Sequence, residues 1–343
     1  MKILLRLLLK TQHQQNRCGQ AQTEKGMTLV ELLVGAIMAF LIITPMLAFV
    51  VDMLNTDRRE QVKSNTEQDL QAAVDFIAQD LSQAIYIYDQ KGINAVNNST
   101  IPTSGKLPAP ANGTPILVFW KRQQIKNSVP INSAVSAKPD TCATKPGECN
   151  DTYVLSLVAY YQFQETDPNS IWCQPSGGPC PTRIARYEIR DGVKNPSTLA
   201  YYTDAETTTG QRKDPAFNSL FDLSKPTENV TVVGQPANRE VLVNYIDHST
   251  ANVPAPPQCK TTLGVTDLPA PAPALTQGDL LTADGSTNSF YACVDTAKNI
   301  ARVTIRGNSL RRLQTNDADF KTTSSAFFPT ATIQVKGLGA RGK

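Results

Sequence analysis

The stretch KGMTLVELLVGAIMAFLIITPMLAFVV, Lys25 to Val51, decides the architecture of this 343-residue chain. From Met27 to Val51 the only ionisable side chain is Glu31. About 20 apolar residues in a helix cross a bilayer, so this run is long enough to be a transmembrane segment. A carboxylate inside such a run costs about 2.5–3.5 kcal/mol on insertion scales, which makes Glu31 a candidate functional residue. The plainer reading places Glu31 close enough to the interface to be solvated. Pro45 lies inside the run, removes one backbone donor and crowds the preceding turn, so a kink or local melting of the helix is expected there.

Upstream of the run, Lys2, Arg6, Lys10, Arg17 and Lys25 stand against Glu24 alone. That segment carries +4 of a total of +3, which leaves −1 for everything after Gly26. The basic balance therefore belongs to the leader, and net charge gives no basis for a nucleic-acid-binding domain. A basic leader before a single span predicts a cytoplasmic N-terminus and an exported C-terminal part. MKILLRLLLK, residues 1–10, is broken by Arg6 and is too short to span a bilayer; it reads as an interfacial basic helix.

Downstream, Asp52 to Leu70 is polar and holds neither Gly nor Pro. Leu70, Ala73/Val74, Ile77, Leu81, Ala84/Ile85 and Tyr88 then recur at helical spacing and form one apolar face. The simplest reading is one helix from about Met27 to about Asp89, and the alternative is two helices with a break near Asn55. After Gly92 the composition turns to Pro, Gly, Asn, Ser and Thr. Short β-rich runs follow at Ile116–Trp120, Tyr153–Gln164, Arg183–Arg190, Leu199–Tyr202, Val230–Val233, Glu240–Ile246, Phe290–Val294, Ile300–Arg306 and Thr330–Val335. Several alternate apolar and polar residues, the half-buried antiparallel pattern. A turn at Asn299 joins two of them as a hairpin. Val253–Leu275, with VPAPP and LPAPAPA, and Asp167–Pro181 read as loops. The fold class expected is α+β, a long N-terminal helix packed on a mainly antiparallel β domain. Its parts are a leader 1–26, a transmembrane segment 27–51, an amphipathic continuation 52–89 and an exoplasmic β-rich domain 90–343.

Apart from Cys18 in the leader, the cysteines are Cys142, Cys149, Cys173, Cys180, Cys259 and Cys293, all in the part expected to face an oxidising compartment. An even number there points to disulfides. Six cysteines allow 15 pairings. The two closely spaced pairs favour Cys142–Cys149, Cys173–Cys180 and Cys259–Cys293. The spacings are not those of a zinc ribbon, and His248 is the only histidine after the leader, so no metal site is expected.

A basic leader, Gly26, an apolar helix and a glutamate five residues after that glycine together resemble the type IV pilin family over Lys25–Val51. The resemblance implies cleavage between Gly26 and Met27 by a prepilin peptidase and N-methylation of Met27. It also implies that Glu31 meets the new ammonium of a neighbouring subunit and sets register during assembly. The segment TDRREQVKSNTEQDLQAAVDFIAQDLSQAIYIYD, Thr56–Asp89, followed by PILVFWKR, Pro115–Arg122, is similar to minor pseudopilins of the PilW and J-type classes. It is most similar to the hormogonium polysaccharide secretion pseudopilin C family of filamentous cyanobacteria. That resemblance implies a type IV pilin-like fold and a non-enzymatic minor pseudopilin of a pilus-like apparatus supporting polysaccharide secretion and gliding motility. The partners implied are prepilin peptidase, major and other minor pilins, an inner-membrane assembly platform, the membrane and a polysaccharide. The location implied is the inner membrane, single-pass, with the C-terminal domain periplasmic, in or at a filament.

Enzymatic signals are poor: no GxSxG, HExxH, P-loop or Rossmann fingerprint is present. No cofactor is expected. Asp317 and Asp319 in TNDAD lack a full calcium-loop spacing and read as a solvated loop. Three function classes therefore stand after the sequence alone. The first is a filament subunit, in which a minor pilin priming a type IV pilus or a type II secretion pseudopilus is a variant. The second is an exoplasmic module that binds a saccharide or surface through Trp120, Trp172, Tyr160, Tyr161, Tyr201 and Tyr202, residues that core packing explains more simply. The third, an enzyme, has the least support.

Overall fold

The computed structural model describes residues 28–96, 107–108, 110, 112–131, 142, 146–203, 211–217, 239–267 and 273–339. The leader, Gly26, Met27 and Val230–Val233 lie outside these residues. The chain divides into two compact units between Arg58 and Arg59.

Helix α1, Leu29–Ser82, is continuous over 54 residues and includes Pro45. The proline does not melt the helix, and neither does the sequence near Asn55 break it. Within the first unit, Leu29, Val30, Leu32, Leu33, Ile37 and their successors to Leu54 are exposed on every side of α1. This helix is long and apolar enough to cross a membrane.

The second unit begins on the same helix. Leu70, Ala73, Val74, Ile77 and Leu81 recur at helical spacing and are fully or almost fully buried. Each of the larger ones gains about 1.5–3 kcal/mol by leaving water. The helix ends at Ser82, not at Asp89. There the chain turns into strand β1, Ala84–Ile87, followed by α2, Gln90–Val96. Ala84–Tyr88 carries three consecutive β-formers, Ile85, Tyr86 and Ile87, and an open strand edge to pair with. β1 pairs antiparallel with β2, Gly113–Pro130, through Ala84↔Lys121, Tyr86↔Trp120 and Ile87↔Phe119.

β2 forms a long hairpin with β3, Cys149–Gln164. β4, Thr182–Arg190, and β5, Arg239–Ile246, complete a five-stranded antiparallel sheet in sequence order. Both faces of this sheet are buried. Leu117, Phe119, Val158, Tyr160 and Ile184 join the α1 residues in one cluster. Val118, Trp120, Leu157, Ala159 and Tyr161 face the other way, against Ile93 and Val96 of α2 and Phe217. Burial on two faces explains why Ile116–Trp120 reads as an unbroken apolar run instead of an alternating one.

After β5 come two short helices, α3, Cys259–Leu263, and α4, Gln277–Leu280. A second antiparallel sheet follows: β6, Leu281–Ala283; β7, Phe290–Asp295; β8, Ile300–Arg306; and β9, Thr330–Lys336. A one-turn helix, α5, Leu310–Leu313, separates the last two strands. Asn299, at φ 53°, makes the β7–β8 turn. Phe290, Ala292, Val294, Ala301, Val303 and Ile305 belong to the same cluster as the α1 face and the first sheet. The molecule is thus α+β, with one core shared by a helix face and two antiparallel sheets.

Two expectations are corrected besides the helix end. Leu199–Tyr202 is not a strand: Leu199 has φ 60°, and only the isolated bridge Lys194↔Tyr201 remains. The loop read over Val253–Leu275 contains α3. The disulfides are Cys142–Cys149, Cys173–Cys180 and Cys259–Cys293, the pairings that the spacing favoured.

Candidate functional site

Glu31 stands in the first turn of α1, where Thr28 precedes the helix. The Glu31 amide donates to Thr28 Oγ1 at 3.3 Å and to the Thr28 carbonyl at 3.0 Å. A carboxylate in a first turn also faces the positive end of the helix dipole. Glu31 is therefore locally compatible with helix initiation, and its neighbours Leu29, Val30, Leu32 and Leu33 are all exposed and apolar. Further along, Thr44, the residue before Pro45, donates its Oγ1 to the Phe40 carbonyl at 2.8 Å.

The second unit is fixed to its helix by a buried charge cluster that the sequence did not single out. Asp80, near the C-terminus of α1, is 7% exposed. Its Oδ1 accepts from Lys121 Nζ of β2 at 2.9 Å. Its Oδ2 accepts from Arg186 Nε of β4 at 2.7 Å and from Tyr160 OH of β3 at 2.8 Å. Glu188 closes the set, 2.9 Å from Arg186 Nη1 and 3.6 Å from Lys121 Nζ. Two cations thus meet two carboxylates. Burial pushes the Asp80 carboxyl up, but Arg186 and Lys121 outweigh it, and the group sits below its usual range. The Tyr160 hydroxyl is pushed well up, by burial first and the Asp80 charge next.

A second buried pair joins the two sheets. Asp247, just beyond β5, accepts from Arg306 Nε at the end of β8 at 2.9 Å, and from both the amide and the hydroxyl of Ser249. Arg306 Nη2 also donates to the Thr287 carbonyl at 2.8 Å. Fully buried Arg311 donates to three carbonyls of the Cys173–Cys180 loop, those of Pro175, Gly177 and Pro179, at 2.6–2.9 Å. These contacts hold loops to the core, and a buried guanidinium needs such acceptors.

The aromatic residues considered for stacking on a sugar fall mostly inside. Trp120, Tyr160 and Tyr161 are at most 2% exposed. The Trp120 indole donates to Tyr88 OH at 2.9 Å, and the Tyr161 hydroxyl donates to the Pro108 carbonyl at 2.7 Å. Trp172 is half-buried beside the Arg183 guanidinium, and the Tyr201 hydroxyl donates to Asp191 at 2.7 Å. Asp317 is paired with Lys321, and Asp319 lies 3.2 Å from His248 Nε2. Buried His248 is held below its usual range, chiefly by that burial.

No protein-family model, curated protein or solved structure matches this chain.

Proposed function

We propose that this chain is a membrane-anchored, non-enzymatic subunit of a pilus-like filament, a minor pseudopilin by its resemblance to type IV pilins. The observation that carries the reading is the division of labour along α1. One continuous helix presents an exposed, almost wholly apolar surface from Leu29 to Val51 with Glu31 as its one ionisable group, while its last turns are buried in a disulfide-bonded β domain. Such a helix needs an apolar environment from elsewhere, first a bilayer and then the helices of neighbouring subunits. A prepilin peptidase would cut after Gly26, and methylation would follow on Met27. Glu31 would then meet the ammonium of an adjacent subunit. A buried pair of this kind acts through register, because removing one partner strands the other at a cost of about 3–5 kcal/mol. The β domain would lie in the periplasm, where its disulfides form. The apparatus served would be one for polysaccharide secretion and gliding.

The test is a pair of variants in the native host. Gly26→Leu should leave the leader attached and give a larger product on a gel. Glu31→Ala should be processed normally but be lost from the sheared filament fraction. Normal assembly of Glu31→Ala, or normal processing of Gly26→Leu, would overturn the reading.

A further inference from the structure

A polar cavity of about 180 Å³ opens where the end of the β2–β3 hairpin meets the turn after β6. The strand register builds one wall. Thr114 and Gln162 are direct cross-strand partners, so their side chains share a face, and Gln164 follows two residues on. Asn112 shapes the rim at φ 60°: its carbonyl accepts from the Gln164 amide at 3.1 Å, and its Nδ2 donates to Thr166 Oγ1 at 3.1 Å.

The opposite wall is organised by Asp284. Its carboxylate accepts from the Ser286 and Thr287 amides and hydroxyls, from the Asn288 amide, and from Gln162 Nε2 at 3.1 Å across to the first sheet. So many donors leave Asp284 as the keystone of the turn, and they fix Gln162 and Ser286 in place. Gln162 is 4% exposed and its Oε1 has no donor among the described residues. The side chains of Thr114 and Gln164 are exposed and make no hydrogen bond among the described residues.

The chemistry of this lining is narrow. Amides and hydroxyls both donate and accept, and a carboxylate accepts. No Lys, Arg or His among the described residues lines the cavity, so nothing there matches an anion, and Asp284 would repel one. Apolar walls are scarce as well, which disfavours a lipid or the side chains of a peptide. A ligand that offers adjacent hydroxyls, each donor and acceptor, fits every group. We propose that this cavity binds one sugar unit of a neutral glycan, with the exposed Thr114, Gln164 and Ser286 on its rim as the contacts and Gln162, held by Asp284 and Thr287, as the fixed wall behind them. The site is distinct from the apolar helix and does not depend on the filament reading.

The test uses the full chain in a zwitterionic detergent without a sugar headgroup. It is titrated calorimetrically with neutral malto-, cello- and xylo-oligosaccharides, with a uronic-acid oligosaccharide, and with a neutral peptide of similar length. At least one neutral oligosaccharide should bind, and the uronate should bind more weakly. The Thr114→Val/Gln164→Ala double variant should weaken binding about tenfold, the loss of one or two hydrogen bonds, while Tyr153→Ala, on an exposed part of β3, should leave it unchanged. Both rim residues are exposed, so the variant should keep the near-UV circular dichroism of the parent; Ser286→Ala provides a second probe. The proposal is overturned if no neutral saccharide in the panel binds, if the peptide or the uronate binds better, or if binding survives both sets of rim changes.

Discussion

Asp80 and Arg186 meet at 2.7 Å across 106 positions of sequence, and that contact docks the end of the long helix on the middle of a β-sheet. Lys121, Tyr160 and Glu188 complete the set. Asp80→Asn keeps the shape and removes the charge, which leaves two buried cations facing one carboxylate. Breaking a buried ionic set by removing one partner typically costs about 3–5 kcal/mol. The expected outcome is a loss of that size in denaturant unfolding of the full chain in detergent, followed by the fluorescence of buried Trp120. A loss below about 1 kcal/mol would mean that the cluster does not dock the helix.

The same cluster sets a pH dependence. Burial raises the Asp80 and Glu188 carboxyls, but the neighbouring cations overcome it and both end below their ordinary values of 3.8 and 4.5. A carboxyl with a lowered pKa in the folded state stabilises fully above its unfolded pKa and loses that contribution as pH falls through the folded value. The contribution of this cluster should therefore hold steady at neutral pH and fall as pH drops below about 4.5, the upper of those ordinary values, whereas His248, lowered from 6.5 by its burial, takes a separate share of stability away earlier in the descent. In Asp80→Asn the acid slope should be shallower, by at most one proton. An unchanged slope would remove Asp80 from the linkage.

The helix–sheet contact has a steric partner at Gly307. A Cβ there would lie 2.8 Å from Thr66 Cγ2 and 3.0 Å from Leu70 Cδ1, both on buried positions of α1. Gly307→Ala should destabilise by about 1–3 kcal/mol, the usual cost of overpacking. Thr66→Ser removes the nearer methyl. Combined with Gly307→Ala it should recover part of the loss, so the double-mutant cycle should show a favourable coupling of about 0.5 kcal/mol or more. Strict additivity would place the alanine's cost elsewhere.

Much of this architecture was legible because it rests on local periodicity. The apolar run, the stripe from Leu70 to Leu81 and the alternation in Ile300–Arg306 each state their surroundings in a few residues. The end of the helix was not legible, since Ala84, Ile85 and Tyr88 satisfy a helical period while Ile85–Tyr86–Ile87 also suits a strand. Pairing with Lys121, Trp120 and Phe119 decides between them, and those residues are remote in sequence. Asp80 was hidden for the same reason: a lone aspartate on an amphipathic helix looks solvated until Lys121 and Arg186 are brought to it. Leu199–Tyr202 has strand composition, but the left-handed conformation at Leu199 interrupts it. The polar cavity left no trace in either segment, because Gln162 and Asp284 are 122 positions apart.

The three disulfides should differ in weight. Cys142–Cys149 and Cys173–Cys180 each close a separation of 7, whereas Cys259–Cys293 closes one of 34 and ties α3 to the inner strand β7. Chain entropy alone gives about 2 kcal/mol for the short loops and about 4 kcal/mol for the long one. Cys259 and Cys293 also sit at 0% and 1% exposure in a small cluster with Leu263, Val265 and Leu280, so serine in their place adds the cost of a buried hydroxyl, a cost that Cys142 at 1% exposure shares. Cys259→Ser/Cys293→Ser should therefore lower stability by about 4 kcal/mol or more and sharply reduce the folded yield. Cys142→Ser/Cys149→Ser, at the far end of the β2–β3 hairpin, should cost less by about 2 kcal/mol, the difference the two loop lengths make. Unfolding of the two double variants in parallel checks the ranking, and an equal loss in both would show that loop length does not govern it.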